Sequence, residues 1–432
     1  MKNLLTSSNF FSIFTKFCSK NIVYSTSIII LDHMKKSLLF SLIFMASIFF
    51  VLVSCKKEKE QTDETIVKTG YITGKILAKN GTTPIRNATI FIDDNGEVYI
   101  AKSGTNGYFT LKAPVGKQTL NIQTGGGRIF RAQYDVNISE NETTTIPAGT
   151  LKLLQTDSLA YITGLYDDIQ TIIIDSLGYS ATEITVADLS NLAYLETFGA
   201  IFLNCGKQGL MDSVKYNNLM QYVQDGGSIY ASDWAVEYLT GDGNFKSIGN
   251  SHEPYGMKAM CPVGLAGGFI PDSTLCTSKA GQIAMINNAS IVAQDLIDYL
   301  GVSNIDIEYD LGAWEVIQLI DSPWEVLIQD NATYGPLAAR YYMPPSTKSL
   351  RTVHDQEWVT ICHIPPGNPA NAHTITISVN ALATHLAHGD YIGSCETMGY
   401  GGVIYFTTFH NEIQQNISNE VQNILQYFIL NM

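Results

Sequence analysis

Tyr222-Val-Gln-Asp-Gly-Gly-Ser-Ile-Tyr-Ala-Ser-Asp-Trp-Ala235 runs off the end of a helix, turns on two glycines and enters an apolar strand. Upstream, Val214 to Gln224 has the apolar spacing of an amphipathic helix, and Ala200-Ile-Phe-Leu-Asn204 is a short apolar run of the kind a buried strand makes. The glycine pair closes the helix because glycine reaches the left-handed backbone conformation without a Cβ clash. Strand, helix, strand predicts a parallel sheet with right-handed crossovers. Downstream, Gly401-Gly-Val-Ile-Tyr-Phe-Thr-Thr-Phe-His410 and the helical run to Leu430 repeat the pattern. Residues 156–343 and 401–432 are therefore expected to build one α/β domain. Within it, Tyr166 to Gly178 and Ser290 to Leu300 read as helices, the second stopped by Gly301. Ile305-Asp-Ile-Glu-Tyr reads as a strand, and Trp314-Glu-Val-Ile with Glu325-Val-Leu-Ile as an antiparallel pair. Leu337 to Tyr342 should pair with Val403 to Thr407, which makes 344–400 an insertion at the tip of a hairpin, a place where chains tolerate new modules.

The 432 residues are 45% hydrophobic, 10% aromatic and 15% charged, which excludes a disordered, collagen-like or coiled-coil chain. Twenty-six Lys and Arg against forty Asp and Glu give a formal charge of -14, with no basic run beyond Cys55-Lys-Lys-Glu-Lys, so a nucleic-acid partner is set aside.

Before the α/β pattern, residues 70–153 hold short alternating runs such as Tyr71-Ile-Thr-Gly-Lys-Ile-Leu, Ala88-Thr-Ile-Phe-Ile and Tyr108-Phe-Thr-Leu, separated by Gly, Pro and Asn turns. That is the pattern of a β-sandwich. The order Gly74-Lys-Ile, Thr83-Pro-Ile-Arg-Asn-Ala88, Thr105-Asn-Gly-Tyr-Phe109 and Ala113-Pro-Val-Gly116 resembles the carboxypeptidase regulatory-like, or transthyretin-like, sandwich. It carries no catalytic constellation and is expected to be a spacer that presents the next domain.

Met34-Lys35-Lys36, the uncharged run Leu38 to Val53 and Leu52-Val53-Ser54-Cys55 resemble a bacterial lipoprotein signal peptide with its lipobox. The resemblance implies cleavage before Cys55 and lipidation of its thiol, with residues 34–54 removed and 1–33 an over-extended start. The competing reading, a transmembrane helix, has only 16 apolar residues to work with. Without residues 1–54 the chain loses five lysines and one aspartate, leaving 21 basic and 39 acidic residues, a charge of -18. Residues 55–69 then form a polar tether, similar to Bacteroidota-type lipoproteins exported to the surface. The chain is expected in the cell envelope as an outer-membrane lipoprotein, held to the membrane through Cys55 and facing the periplasm or the exterior.

The 222–235 stretch together with Phe409-His-Asn-Glu412 resembles the class I glutamine amidotransferase-like fold, a flavodoxin-like three-layer α/β domain. In that family the strand after the Gly-Gly turn delivers a nucleophilic Cys on a sharp bend, and a late Phe-His-x-Glu segment supplies base and orienting carboxylate. The resemblance places Asp233 at the nucleophile position and His410 and Glu412 at the late motif. Aspartate cannot form the thioester, so amide hydrolysis by the family mechanism is not expected. Cys205 is either a displaced nucleophile or a small buried hydrophobe. Trp234, Glu237, His252 and Glu253 are candidates to join Asp233 and His410 in a pocket at the carboxyl ends of the strands.

The insertion holds Cys362-His363-Ile-Pro-Pro-Gly367, His373, His385-Leu-Ala-His388-Gly-Asp390 and Cys395, four of the seven histidines beyond Cys55 within 26 residues. His385 and His388 share one face of a short helix. These residues could hold zinc, with or without the thiols, or the cysteines could pair as disulfides, Cys362 with Cys395 and Cys261 with Cys276 in the local pairing. The two functions expected are a lipid-anchored envelope binding or adhesion protein with an extracellular glycan or protein partner, and an extracellular hydrolase acting through Asp233, His410 and Glu412, with or without a metal.

Overall fold

The computed structural model describes residues 67–206, 211–240, 275–278, 284–309, 315–317, 324–331, 335–343, 358–365, 372–387, 390–392, 395, 402–409, 411 and 419–432. The described chain is a multi-sheet, mostly β assembly with a few helices. Among the described residues no helix is long and apolar enough to cross a membrane. The run Leu38 to Val53 and Cys55 lie outside them.

Seven strands come first: β1 (Thr69–Lys75), β2 (Thr89–Asp94), β3 (Glu97–Lys102), β4 (Tyr108–Pro114), β5 (Gly116–Gln123), β6 (Arg131–Ile138) and β7 (Thr143–Thr145). They form a three-stranded sheet ordered β4-β1-β7 and a four-stranded sheet ordered β3-β2-β5-β6. Ile72, Phe109 and Leu111 from the first sheet and Ile90, Ile92, Leu120 and Ile122 from the second are buried in one core. The β2–β3 hairpin turns on Asn95-Gly96, both with positive φ (57° and 88°), the handedness that a two-residue hairpin requires.

The α/β pattern folds into one nine-stranded sheet. Its strands are β8 (Leu159–Ile162), β9 (Thr182–Glu183), β10 (Ala200–Leu203), β11 (Ser228–Ser232), β13 (Ala284–Ile291), β14 (Asn304–Tyr309), β16 (Glu325–Asp330), β17 (Gly335–Tyr342) and β21 (Val403–Thr407), and their order is β14-β13-β16-β17-β21-β11-β10-β8-β9. From β9 to β21 the pairing is parallel, and from β21 to β14 it is antiparallel. Helix α1 (Ser213–Gln224) crosses from β10 to β11. Asp212 caps it by accepting the Lys215 N–H at 2.9 Å, and Gly226 ends it at φ 99°. The Gly-Gly turn also meets a glycine from the far segment, because a Cβ on Gly402 would lie 1.5 Å from the Gly227 carbonyl oxygen. The expected pairing of β17 with β21 is present, with Ala338 opposite Thr407 and Tyr342 opposite Val403.

Three local expectations fail. Residues 166–168 are a loop, and only Ile169–Thr171 and a π turn at Ile172–Ser176 are helical, because Asp167 and Asp168 are engaged by side chains from other strands. Strand β13 runs through Ile291 and α2 (Gln294–Leu300) starts after it, since Ile286, Ala289 and Ile291 bury one face of the sheet edge. The segment β15 (Glu315–Ile317) pairs with β12 (Leu275–Ser278), while β16 pairs with β13 and β17.

The spacer reading of the sandwich is also overturned. Leu151 and Leu153 beyond β7, Leu159 in β8, Ile169, Ile172 and Tyr179 lie in the same hydrophobic core as the sandwich strands, together with Leu425 and Phe428 of the C-terminal helix α4 (Asn419–Leu430). The Phe130 and Tyr179 rings lie 4.7 Å apart, and Asn431 accepts the Gly125 N–H at 3.1 Å. A spacer would solvate that apolar face. Here it is buried against the larger sheet.

The insertion forms its own three-stranded sheet, β19 (His373–Ser378), β18 (Trp358–His363) and β20 (Tyr391–Ile392) in that order, with α3 (Leu382–Ala387) between β19 and β20. Ile361, Ile375 and Ile377 pack on Phe91, whose side chain leaves β2 on the face opposite Ile90 and Ile92, and on Val98 and Ile100 of β3. Gln123 of β5 donates to the Thr374 carbonyl at 3.3 Å and accepts the Thr376 N–H at 3.0 Å. The insertion thus covers the outer face of the four-stranded sheet.

Candidate functional site

Two side-chain clusters carry chemistry. The first lies where β8, β10, β11 and β21 end, the carboxyl edge at which open α/β sheets bind ligands. Asp233 follows β11 directly at φ 46°, a left-handed conformation that non-glycine residues rarely hold and that costs on the order of 1 kcal/mol. A strand-to-helix bend with this strain is what presents a nucleophile in the fold the sequence resembles. Here the residue on the bend is 1% exposed, and the Cys205 thiol donates to its Oδ2 at 3.5 Å. Burial pushes the Cys205 thiol well up, and the Asp233 charge adds to the rise, so Cys205 stays protonated. Of its two sequence readings, the small buried residue is the one the geometry fits.

Beside this pair, Ser232 Oγ donates to Asp167 Oδ2, and the Asn411 N–H donates to Asp167 Oδ1 at 3.1 Å. Burial raises the Asp167 carboxyl to about 7, against the pull of the Ser232 hydrogen bond, and the neighbouring Asp168 charge adds to the rise. The Asn411 amide reaches Asp168 Oδ1 at 2.6 Å, and Asn204 ties the same loop down by accepting the Ile169 N–H at 3.2 Å. Trp234 stands edge-on to Tyr166 at 5.6 Å, with its buried indole N–H lacking a hydrogen-bond partner among the described residues. Gly164 lets this loop approach, because a Cβ there would meet the Cys205 carbonyl oxygen at 2.1 Å.

Asp233 and Trp234 therefore sit at the strand ends as expected. Glu237 lies in a short helix at Glu237–Thr240, its side chain outside the described residues, and His252, Glu253, His410 and Glu412 lie outside them altogether. Asp167, Asp168, Ser232 and Asn411 escaped the sequence reading. The one available signal was the Asp-Asp pair interrupting an isoleucine-rich run just after a strand.

The second cluster is in the insertion. Cys362 and Cys395 form a disulfide, Cα to Cα 4.5 Å, across 33 residues. Cys261, the Cys276 side chain and His388 lie outside the described residues. Pairing of β18 with β19 sets His363 opposite His373, with ring centroids 5.2 Å apart. His385 comes from α3, and Asp390 follows it. Asp390 Oδ2 stands 2.7 Å from Nδ1 of both His363 and His385, while its Oδ1 accepts the Ile364 N–H at 2.8 Å. His385 Nε2 faces Asp93 Oδ2 at 3.1 Å, a carboxylate supplied by β2. Burial disfavours charge on His385, but hydrogen bonds to Asp93 and Asp390 and their charges outweigh it and raise its pKa. Burial likewise works against ionised Asp390 and Asp93. For Asp390 the Ile364 N–H and both histidines, and for Asp93 mainly His385, hold the carboxyl below its usual range. His363, His385 and Asp390 are all buried with donor atoms within 4.8 Å of one another, a group able to hold a metal ion. Of the four histidines expected as ligands, His363 and His385 enter this group, and His373 lies against it.

No family model and no curated protein matches the chain. Among solved structures it is similar to a GMP synthase protein from Thermoplasma acidophilum, at 11% identity over 64% of this chain and 94% of that one, TM-score 0.32. It is also similar to a ThuA-like protein from Bacteroides uniformis, at 10% identity over 63% and 88%, TM-score 0.33. A DUF3823 family protein from Parabacteroides merdae is similar over 21% of this chain and 47% of its own, at 12% identity and TM-score 0.16.

Proposed function

We propose that the chain is a lipid-anchored binding protein of the bacterial cell envelope, attached to the outer membrane through Cys55, with a glycan or protein partner outside the cytoplasm and an amidotransferase-like domain that has lost its nucleophile. The observation that carries this reading is Asp233: the strained bend that would present a thiolate holds a buried carboxyl instead, and the adjacent thiol of Cys205 is hydrogen-bonded to it and kept protonated. The first seven strands support a transthyretin-like sandwich, and the disulfide suits an oxidising compartment.

The reading predicts that the chain from residue 55 onward, with Cys55→Ser, releases no ammonia from glutamine above a blank, and that Asp233→Ala changes nothing. Ammonia release that disappears in a folded Asp233→Ala variant would instead establish the alternative, an amide or glycan hydrolase using Asp233, His410 and Glu412, for which the near-neutral carboxyl of Asp167 would be a further proton carrier. Anchoring has its own check. Full-length chain expressed in a Gram-negative host is expected to take up an alkyne-labelled fatty acid and to lose the label in Cys55→Ser; an unlabelled wild-type chain would remove the anchor from the proposal.

A further inference from the structure

The network around Asp390 is unusual for hydrogen bonding alone. One carboxylate oxygen is met by Nδ1 of two imidazoles at 2.7 Å, and the remaining nitrogen of His385 faces a second carboxylate, Asp93. Carboxylate oxygens only accept, so satisfying every contact requires protons on both nitrogens of a 0% exposed His385. A divalent cation between the two Nδ1 atoms and Asp390 Oδ2 satisfies the same atoms with neutral imidazoles. His385 then keeps its Nε2–H for Asp93, which is the carboxylate–histidine–metal arrangement that fixes the ring and strengthens the ligand. The Ile364 N–H fixes Asp390 in the same way through its other oxygen.

We propose that His363 Nδ1, His385 Nδ1 and Asp390 Oδ2 bind one zinc ion, with Asp93 as the supporting carboxylate, and that the ion fastens the insertion to the sandwich. Two imidazoles and a carboxylate suit zinc and not calcium, which takes six to eight oxygens. Ligand atoms of a tetrahedral zinc at about 2.05 Å lie about 3.4 Å apart, so the present 2.7 Å contacts need to open by about 0.7 Å, within reach of side-chain rotation. The fourth position falls to solvent or to His373. Cys362 and Cys395 are joined to each other, so no thiolate takes part. The ion would then tie three parts of the chain, β18, the α3 end and β2, where the insertion already covers Phe91.

The test uses the chelator-stripped chain from residue 55 onward with Cys55→Ser, its disulfide intact, titrated with zinc alone. One equivalent is expected to bind, His385→Ala is expected to abolish binding, and Asp93→Asn to weaken it at least tenfold. Zinc X-ray absorption on the unmutated chain guards against a variant that does not fold: nitrogen and oxygen scatterers near 2.0–2.1 Å with an imidazole pattern are expected. No zinc uptake by the unmutated chain, uptake unchanged in a folded His385→Ala variant, or a sulfur shell near 2.3 Å would each overturn the proposal.

Discussion

Asp167→Asn is expected to stabilise the protein by about 4 kcal/mol at pH 8 and to change its stability by less than about 1 kcal/mol at pH 4, measured by denaturant unfolding at the two pH values. Asp167 is 1% exposed, and its carboxyl titrates at about 7 in the fold against 3.8 as the reference value. A folded pKa above the unfolded one means that the native state holds the proton more tightly. The stability this group contributes is therefore complete below pH 3.8 and is lost as the pH rises through 7. The loss saturates at about 1.36 kcal/mol for each pH unit between the two values, which gives the figure of about 4. An amide does not ionise, and it can still accept the Asn411 N–H. A stabilisation equal at both pH values would show that Asp167 stays charged or stays neutral throughout, and would remove it as a proton carrier at the strand ends.

Phe428→Ala is expected to cost about 3–5 kcal/mol and to lower a single unfolding transition of the sandwich and the nine-stranded sheet together. Phe428 is fully buried on α4, with its ring 4.7 Å from Tyr405 of β21 and 6.1 Å from Tyr230 of β11. The core it belongs to also holds Ile72, Ile90 and Leu120 from the sandwich. A cavity there weakens both parts because they share the apolar surface, and the loss exceeds simple transfer because close-packed neighbours collapse only partly. Calorimetry checks this. Two separate transitions, with the sandwich part unmoved by the substitution, would mean that the shared core does not couple them.

Legibility in the sequence followed the range of the interactions concerned. The parallel run β8–β10–β11 and helix α1 could be read because apolar spacing, Asp212 and the Gly226-Gly227 turn act within a few residues. The pairing of β17 with β21, across 60 residues, could be read because both strands are apolar throughout and so had to be central. The edge was misread: β15 lies beside β12, and β16 beside β13, since short strands with mixed faces do not specify their partners. The helix expected at Tyr166–Gly178 shrank because Asp167 and Asp168 are held by Ser232 and Asn411, residues that no local rule connects to them.

The candidate sites divide along the same line. Composition and spacing alone determined that residues 358–395 would be a small Cys/His module, that Cys362 and Cys395 were a possible disulfide, and that an aspartate stood where the amidotransferase-like pattern has its nucleophile. Only the tertiary structure decided that Asp93, 292 residues from His385, completes the histidine cluster, and that Cys205 and Asp233 share a hydrogen bond. Local pattern fixes which atoms a segment can offer. Which of them become partners is set by burial, because once a carboxylate or a thiol is out of water its pairing is decided by whatever the fold brings within 3–4 Å.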